Sequence, residues 1–172
     1  EWKNHVFEAP CEHACPAGIP TQLRYNLLRS GKAEEAFREV LDYTPFPGCV
    51  CGTVCPNLCM QACTRGKLDF PVLIGPLGLE SQDITLPKPV VKTGKKVAVI
   101  GGGGLAAAWR LARRGHSVTV YEAEPVMGGK MEQVIPRERL NPKLLKKEID
   151  RIAAMGVKYV NGCRVDAAKF EA

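Results

Sequence analysis

Seven of the eight cysteines in this chain fall between residues 11 and 63, and this concentration indicates metal–thiolate chemistry. Thiolates bind iron–sulfur clusters and zinc, and they can also pair as disulfides. A disulfide framework suits a short secreted domain, whereas this chain shows no export signal and carries a nucleotide-type motif further on. Reduced thiolates and a cytoplasmic location are therefore expected. The candidate ligands are Cys11, Cys15, Cys49, Cys51, Cys55, Cys59 and Cys63.

The spacing of the last four cysteines argues against a single regular helix. Cys51, Cys55, Cys59 and Cys63 recur every four residues. Each step of four rotates a regular helix by about 40° beyond a full turn, so four such side chains cannot converge on one point. Pro56 also favours extended backbone at Cys55. We therefore expect these cysteines to face more than one metal centre.

The same spacing bears on the choice of metal. Zinc sites usually contain Cys-x2-Cys pairs, and the sequence has none. A [4Fe-4S] cube takes four thiolates, and proline after cysteine, as at Cys15-Pro16 and Cys55-Pro56, is common around such clusters. An iron–sulfur cluster is therefore the favoured interpretation, and a zinc site is the alternative. Two cubes need eight ligands, and seven cysteines are present. Two possibilities therefore stay open: one cluster, or two clusters of which one has a non-cysteine ligand or lacks a ligand.

Three other residues could join this chemistry, but each has a simpler expected role. His5 and His13 lie near the first cysteines and are expected to be solvated or capping residues. Cys163 lies on a predicted strand, where it is expected to act as a small buried hydrophobe.

A second motif, Gly101-Gly102-Gly103-Gly104, lies between a predicted strand at Val97–Ile100 and a predicted helix at Leu105–Arg114. Glycines let a pyrophosphate approach backbone N–H groups at a helix N-terminus. Glu122 ends the next predicted strand, 21 residues beyond Gly101, where an acidic side chain can bind an adenosine ribose. The pattern predicts the opening β-α-β unit of a doubly wound sheet.

The glycine turn is shorter than expected by one way of counting. Gly101-x-Gly103-x-x-Ala106 fits the permitted G-x-G-x-x-A form. Counting back from Gly115 instead makes Gly104 the third glycine, and two residues are then missing. Either the turn is shortened, which would weaken phosphate binding, or two residues are absent from the sequence.

The two motifs divide the chain into parts. Residues 1–80 are predicted to form an α-helical cluster domain, with Thr21 capping a helix at Gln22–Arg29 and a second amphipathic helix at Ala33–Leu41. Residues 81–95 are a predicted linker, and 96–172 the first part of a Rossmann-type α/β domain. Asn141 and Pro142 are expected to begin a helix that leads to a third strand at Val157–Val160.

Composition excludes other functions. The chain has 172 residues and a net charge of +6, but the basic excess is diffuse and not interleaved with aromatics, so no nucleic-acid partner is expected. No apolar run approaches the ~20 residues of a membrane span. No Ser/His/Asp or paired-carboxylate set has catalytic spacing. Three strands cannot complete a large nucleotide-binding sheet, so a piece of a longer protein is expected.

These motifs together resemble a known family. The residues are Cys11-Glu-His-Ala-Cys-Pro-Ala-Gly-Ile19, Cys51-Gly-Thr-Val-Cys-Pro56, Cys59-x3-Cys63, Gly128-Gly129 and Ile135-Pro-Arg-Glu-Arg-Leu140. The chain is similar to the iron–sulfur and FAD-binding segments of the glutamate synthase small subunit and the dihydropyrimidine dehydrogenase N-terminal region. The large subunit of electron-bifurcating ferredoxin:NADPH transhydrogenase is also similar.

The resemblance implies an electron-transfer subunit of an NAD(P)H-linked oxidoreductase, with [4Fe-4S] clusters and FAD. It implies that Cys15, Cys55 and Cys59 hold one cluster and that Cys11 and Cys63 belong to another. NAD(P)H would bind a later domain that is not in this chain, and other subunits would be its partners. The residues implied to line FAD are Gly101, Gly102, Gly103, Gly104, Glu122, Gly128, Gly129, Lys130, Arg139 and the backbone near Val165.

The sequence departs from the family pattern at three places. No upstream Cys-x2-Cys lies within Glu1–Pro10, Gly78 stands where one branch has a ligating glutamine, and Cys49 is additional. Cys49 could substitute as a ligand. The alternative hypothesis is a zinc-stabilised interaction module fused to a nucleotide-binding fold, and a further one is a truncated chain that binds no cofactor.

Overall fold

The computed structural model describes residues 8–171, which divide between Ile84 and Thr85 into two compact units. The division falls inside the predicted linker. His5 lies outside the described residues. Within the described range, no helix is both long and apolar enough to cross a membrane.

Short helices build the N-terminal unit. The α-helices are α1 (Pro10–His13), α2 (Thr21–Arg29), α3 (Ala33–Glu39), α4 (Leu58–Gln61) and α5 (Leu77–Glu80). Two 3-10 turns at Val40–Asp42 and Thr64–Lys67 and a π-helix at Pro47–Val54 join them.

The apolar faces predicted from the sequence form the core of this unit. Ala36, Val40 and Leu41 are fully buried, as expected for the inner face of one amphipathic stretch. That stretch changes from α-helix to 3-10 geometry at Val40. Thr21 differs from the prediction, because it is the first residue of α2 and its hydroxyl donates to the Ile19 carbonyl at 3.4 Å. Its hydroxyl does not cap α2.

The C-terminal unit contains a three-stranded parallel sheet with β2 in the middle. The strands are β1 (Lys96–Ile100), β2 (Ser117–Tyr121) and β3 (Lys158–Val160). Lys96 is opposite Ser117, and Thr119 is opposite Lys158. The helices are α6 (Leu105–Arg113), α7 (Lys130–Gln133), α8 (Pro142–Ala154) and α9 (Ala167–Glu171).

Helices α6 and α8 supply the core of the sheet unit. Trp109 on α6, Val120 on β2 and Ile152 on α8 are almost completely buried. The strand order, with successive strands added on one side, is that of one half of a doubly wound sheet. Parallel pairing requires a crossover between strands, and α6 and α8 are those crossovers.

One prediction for this unit is wrong. Cys163 was expected on a strand, but it follows a turn at Asn161–Gly162 and is half-buried. Its N–H donates to the Glu122 carbonyl at 2.8 Å. The chain leaves the sheet at Val160 because β2 also ends there: Val160 is paired with Tyr121, the last residue of β2.

The cap of α8 gives a direct test of local stability. Asn141 Oδ1 accepts a hydrogen bond from the Lys143 N–H at 2.9 Å, and Pro142 occupies the first helical position, as predicted. We expect Asn141→Ala to lower the free energy of unfolding by about 1 kcal/mol, which is about 4–8 °C in the midpoint for a unit of this size. Thermal unfolding followed by circular dichroism measures it. The exposed Asn161→Ala should change stability by less than ~0.5 kcal/mol, and equal effects would contradict the capping role.

Candidate functional site

Four cysteines from different segments of the N-terminal unit line one cavity. Cys15 follows α1, Cys51 lies in the π-helix, Cys55 follows that helix, and Cys59 lies on α4. The cavity has a volume of about 40 Å³. The other lining side chains include Ile19, Thr21, Arg24, Asn57, Leu58 and Ile74. Cysteines far apart in the sequence thus line a common space.

Irregular backbone makes this convergence possible. The Cys55 N–H donates to the Val50 carbonyl, five residues earlier, at 2.9 Å, and this widens the helix that carries Cys51. Cys55 itself is extended (φ −62°, ψ 136°), as Pro56 predicted. Asn57 then adopts the left-handed region (φ 57°) before α4 begins. A regular helix would rotate successive cysteines away from each other, whereas this path turns three of them to the same cavity.

The electrostatics of the cavity fit a cationic occupant. Burial raises the pKa of the Cys51 thiol to about 12, and Cys55, Cys15 and Cys59 act in the same direction. Arg24 opposes them and lowers it. Four thiolates in a buried space therefore need positive charge, which the iron ions of a cube would supply. Asn57 Oδ1, also at this cavity, is buried without a hydrogen-bond partner among the described residues.

The cavity offers the number of cysteines that a cube requires. In the described part of the chain, no three His, Cys, Asp or Glu side chains are grouped closely enough to hold one metal ion. A cube binds each thiolate through a different iron and so accepts ligands that are further apart than those of a single ion. Four cysteines around one cavity are therefore compatible with a cube.

Cys11 and Cys63 form a second, separate pair. Neither residue lines the cavity. Besides burial, Cys63 raises the pKa of Cys11, and both cysteines act in the same direction as burial on the pKa of Tyr25. Burial raises the pKa of Cys11. Hydrogen bonds from backbone N–H groups, that of Val72 foremost, lower the pKa of Cys63. That the cysteines face more than one metal centre stays a prediction.

These opposite shifts predict an order of thiol reactivity in the metal-free protein. The thiolate is the reactive form, so a lowered pKa extends reactivity to lower pH and a raised pKa restricts it to higher pH. At pH 7 we expect iodoacetamide to modify Cys63 well before Cys51, with Cys51 still slow at pH 9. Peptide mass spectrometry after timed labelling measures this. Equal labelling rates for the two thiols at pH 7 would contradict the assigned environments.

The remaining candidates near the cysteines lie apart from the cavity. Cys49 is completely buried in the π-helix but does not line the cavity. The His13 side chain is 85% exposed and lies 3.8 Å from Glu8, in agreement with a solvated histidine. Gly78, at the position of the ligating glutamine in one branch, is packed on the π-helix: a Cβ there would lie 2.2 Å from the Pro47 carbonyl oxygen.

In the C-terminal unit, two glycine turns meet at the carboxyl end of β1 and β2. Gly102–Gly104 forms a 3-10 turn that leads directly into α6 at Leu105. A Cβ on Gly129 would lie 2.9 Å from the Gly103 nitrogen, and one on Gly102 would lie 3.2 Å from the Gly128 nitrogen. The two turns thus approach as bare backbone, and they bring N–H groups together at the edge where doubly wound sheets bind nucleotides.

Glu122 binds the backbone of the first glycine turn. One carboxylate oxygen accepts from the Gly102 N–H and the other from the Glu124 N–H. These hydrogen bonds, that of Glu124 foremost, lower the pKa of Glu122, so it is ionised at neutral pH. An ionised carboxylate has about four lone-pair sites, and each oxygen can still accept from a ribose hydroxyl. The residues present therefore fit the adenosine end of a dinucleotide.

The other predicted flavin residues surround these turns less closely. Lys130 begins α7 directly after Gly129 and is exposed, and Arg139 is also exposed. Val165 is half-buried, two residues after Cys163, whose N–H contacts the Glu122 carbonyl. A separate groove of about 650 Å³ lies against the sheet and includes Lys96, Ser117 and Lys158, the first residues of the three strands. That end is opposite the glycine turns.

Sequence reasoning missed two lining residues, Arg24 and Asn57, and did not group Cys51 with Cys15, Cys55 and Cys59. The Cys-Pro-Asn run at 55–57 offered a signal for Asn57, because asparagine tolerates left-handed backbone. Nothing in the pattern around Arg24 distinguishes it from a surface arginine of an amphipathic helix.

Together the two units define a class of protein: a cysteine-rich α-helical metal–thiolate domain joined to a small parallel α/β unit. Residues 5–86 match the family model of dihydropyrimidine dehydrogenase domain II, 4Fe-4S cluster. Residues 103–135 match the model of flavin containing amine oxidoreductases. The resemblance inferred from the cysteine motifs is confirmed.

Curated relatives extend the similarity across both units. The chain is 35% identical to the NADP(+)-dependent formate dehydrogenase subunit beta of Moorella thermoacetica, covering 87% of this chain and 25% of that protein. It is 39% identical to the NAD-dependent dihydropyrimidine dehydrogenase subunit PreT of Salmonella typhimurium, covering 92% and 40%. It is 34% identical to the glutamate synthase [NADPH] small chain of Mycobacterium tuberculosis, covering 90% and 33%. The chain thus spans two fifths or less of these relatives.

Proposed function

We propose that this chain is the electron-transfer part of an NAD(P)H-linked iron–sulfur flavoprotein oxidoreductase. In this proposal, single electrons pass between a [4Fe-4S] cluster in the N-terminal unit and FAD in the C-terminal unit. The observation that supports it most strongly is the cavity lined by Cys15, Cys51, Cys55 and Cys59. Four thiols from one chain match the ligand number of a cube.

The cluster ligands follow from the cavity. Cys15, Cys51, Cys55 and Cys59 would hold one cube, with Cys51 completing the set that the family resemblance left at three. Cys11 and Cys63 would contribute to a second cluster, whose other ligands we do not assign. The Asn57 N–H, which donates to Cys55 Sγ at 3.4 Å, would stabilise that sulfur as a thiolate.

The flavin site is supported by the glycine turns and Glu122. Gly101–Gly104, Gly128 and Gly129 would accept the pyrophosphate against backbone, and Glu122 would accept a hydrogen bond from the ribose. Lys130 and Arg139 would act from the rim, where their positive charges favour an anionic cofactor. When bound, FAD supplies a centre that exchanges two electrons with a hydride donor and one at a time with clusters.

The names of the relatives support an oxidoreductase but differ in substrate, including formate, dihydropyrimidine and glutamate synthesis. We therefore propose the shared electron-transfer role and no particular substrate. The partners in this proposal are other subunits and an NAD(P)H-binding domain. Three of the relatives are themselves named as subunits or a small chain.

Anaerobic purification tests the proposal. We expect a brown protein with iron and acid-labile sulfide in equal amounts, at least about four of each per chain for one cube. Added FAD should bind and be retained on gel filtration. A colourless protein that contains zinc would refute the cluster, and would favour the interaction module instead. Iron binding without flavin retention would restrict the function to the N-terminal unit.

A further inference from the structure

One lining residue of the cysteine cavity carries a permanent positive charge. Arg24 is 2% exposed and lines the cavity together with Cys15, Cys51, Cys55 and Cys59. Burying a guanidinium is costly unless hydrogen bonds and a counter-charge compensate it. Such a residue therefore needs an explanation beyond packing.

Hydrogen bonds hold the guanidinium in one place. Its Nε donates to the Ala36 carbonyl at 2.9 Å, and its Nη2 donates to Ser81 Oγ at 3.0 Å and to the Leu77 carbonyl at 3.3 Å. Ser81 is completely buried and its hydroxyl in turn donates to the Leu77 carbonyl. These acceptors lie on α3, α5 and the residue after α5, so three segments fix the side chain that α2 carries.

All of these acceptors are neutral, so they orient the charge without neutralising it. The strongest favourable charge interaction of Arg24 is with Cys51, ahead of Tyr25 and Glu39. Conversely, Arg24 is the cation that lowers the pKa of the Cys51 thiol against three neighbouring cysteines. The arginine therefore faces the place where thiolate charge accumulates.

We propose that Arg24 is the fixed countercharge of the cluster held by Cys15, Cys51, Cys55 and Cys59, and that it raises the reduction potential of that cluster. The inference rests on the proposed function, because it requires the cube. Reduction adds one electron and no proton, so the cube and its thiolates become more negative by one charge. A buried cation at fixed distance stabilises the reduced state more than the oxidised state, and weak screening keeps this effect large. Arg24 is a positioning and tuning residue, not a ligand.

The test is an anaerobic redox titration of the iron-loaded full chain with dithionite, followed by electron paramagnetic resonance. We expect Arg24→Gln to lower the reduced-to-oxidised ratio at least tenfold at a given potential, which is 59 mV for a one-electron couple. Arg29→Gln is the matched control, because Arg29 lies on the same helix but is exposed. Water and salt screen the charge of Arg29, so the reduced-to-oxidised ratio of the Arg29→Gln protein should change less than twofold.

Each possible result either supports or overturns the role of Arg24. A fully loaded Arg24→Gln protein whose ratio changes less than twofold overturns the inference while leaving the cluster itself established. If Arg24→Gln and Arg24→Met fail to hold iron but Arg24→Lys holds it, positive charge is required at this position and the inference stands. If the Arg24→Lys protein also fails to hold iron, the hydrogen bonds of Arg24 alone explain its presence, and the inference is overturned. Absence of a cluster in the unmodified chain would instead refute the proposed function.

Discussion

Replacing Cys51 with alanine is expected to remove one whole cluster from the iron-loaded protein. Cys51 lines the cavity with Cys15, Cys55 and Cys59, and an alanine offers no thiolate to the fourth iron. We expect a loss of about four irons per chain, or of at least the one iron that has lost its ligand. Iron and sulfide analysis, with the resonance spectrum of the reduced protein, measures the loss.

Cys49→Ala is the matched control for this prediction. Cys49 lies two residues earlier in the same π-helix and is completely buried, but it is not part of the cavity lining. Its substitution should retain full iron content and lower stability only by the small cost of a buried sulfur. If Cys49→Ala loses the cluster and Cys51→Ala keeps it, the additional cysteine is the ligand and the assignment from the cavity is wrong.

Replacing Gly78 with alanine is expected to destabilise the N-terminal unit strongly. Helix α5 packs against the π-helix at this residue. A Cβ at Gly78 would lie 2.2 Å from the Pro47 carbonyl oxygen, 2.7 Å from the Gly52 nitrogen and 2.8 Å from Cys51 Cβ. Two of these atoms are backbone and cannot rotate away, so the helices must separate.

Overpacking of this kind costs about 3 kcal/mol, which corresponds to a midpoint lower by roughly 12–24 °C for a unit of this size. Because the separation also moves Cys51, iron retention should fall with it. Gly66→Ala is the control, since the nearest atom to its Cβ would be Pro71 Cδ at 3.6 Å, an ordinary contact. Equal midpoints for the two variants would show that α5 is not held against the π-helix in solution.

Local chemistry made most of the secondary structure predictable. The helix cap at Asn141, the apolar face of Ala36, Val40 and Leu41, and the strand–turn–helix around the glycines depend on residues that are neighbours in the sequence. The error at Thr21 was local, whereas the error at Cys163 occurred where a distant contact decides. Cys163 was placed on a strand, but that strand can extend only as far as β2 provides a partner.

The grouping of the cysteines shows the same limit. Their spacing and Pro56 correctly excluded one regular helix, and the expectation of more than one centre stays a prediction. The π-helix and the left-handed Asn57 were not predicted; the π-helix packs against α5, a segment more than twenty residues further on. Without them, nothing in the periodicity of four places Cys51, Cys55 and Cys59 at the same cavity.

By itself, the sequence determined the ligand type, the glycine-rich turn, the acidic residue at the end of β2 and the family resemblance of the N-terminal part, because each is a property of residue identity and spacing. The tertiary structure alone decided which four cysteines share a cavity and that Arg24 is buried beside them. The physical reason is that both depend on packing between segments up to 57 residues apart, such as Arg24 and Ser81. Helical periodicity does not place Arg24 on the buried side of α2, where Thr21 and Arg24 are buried while the apolar Leu23 is exposed.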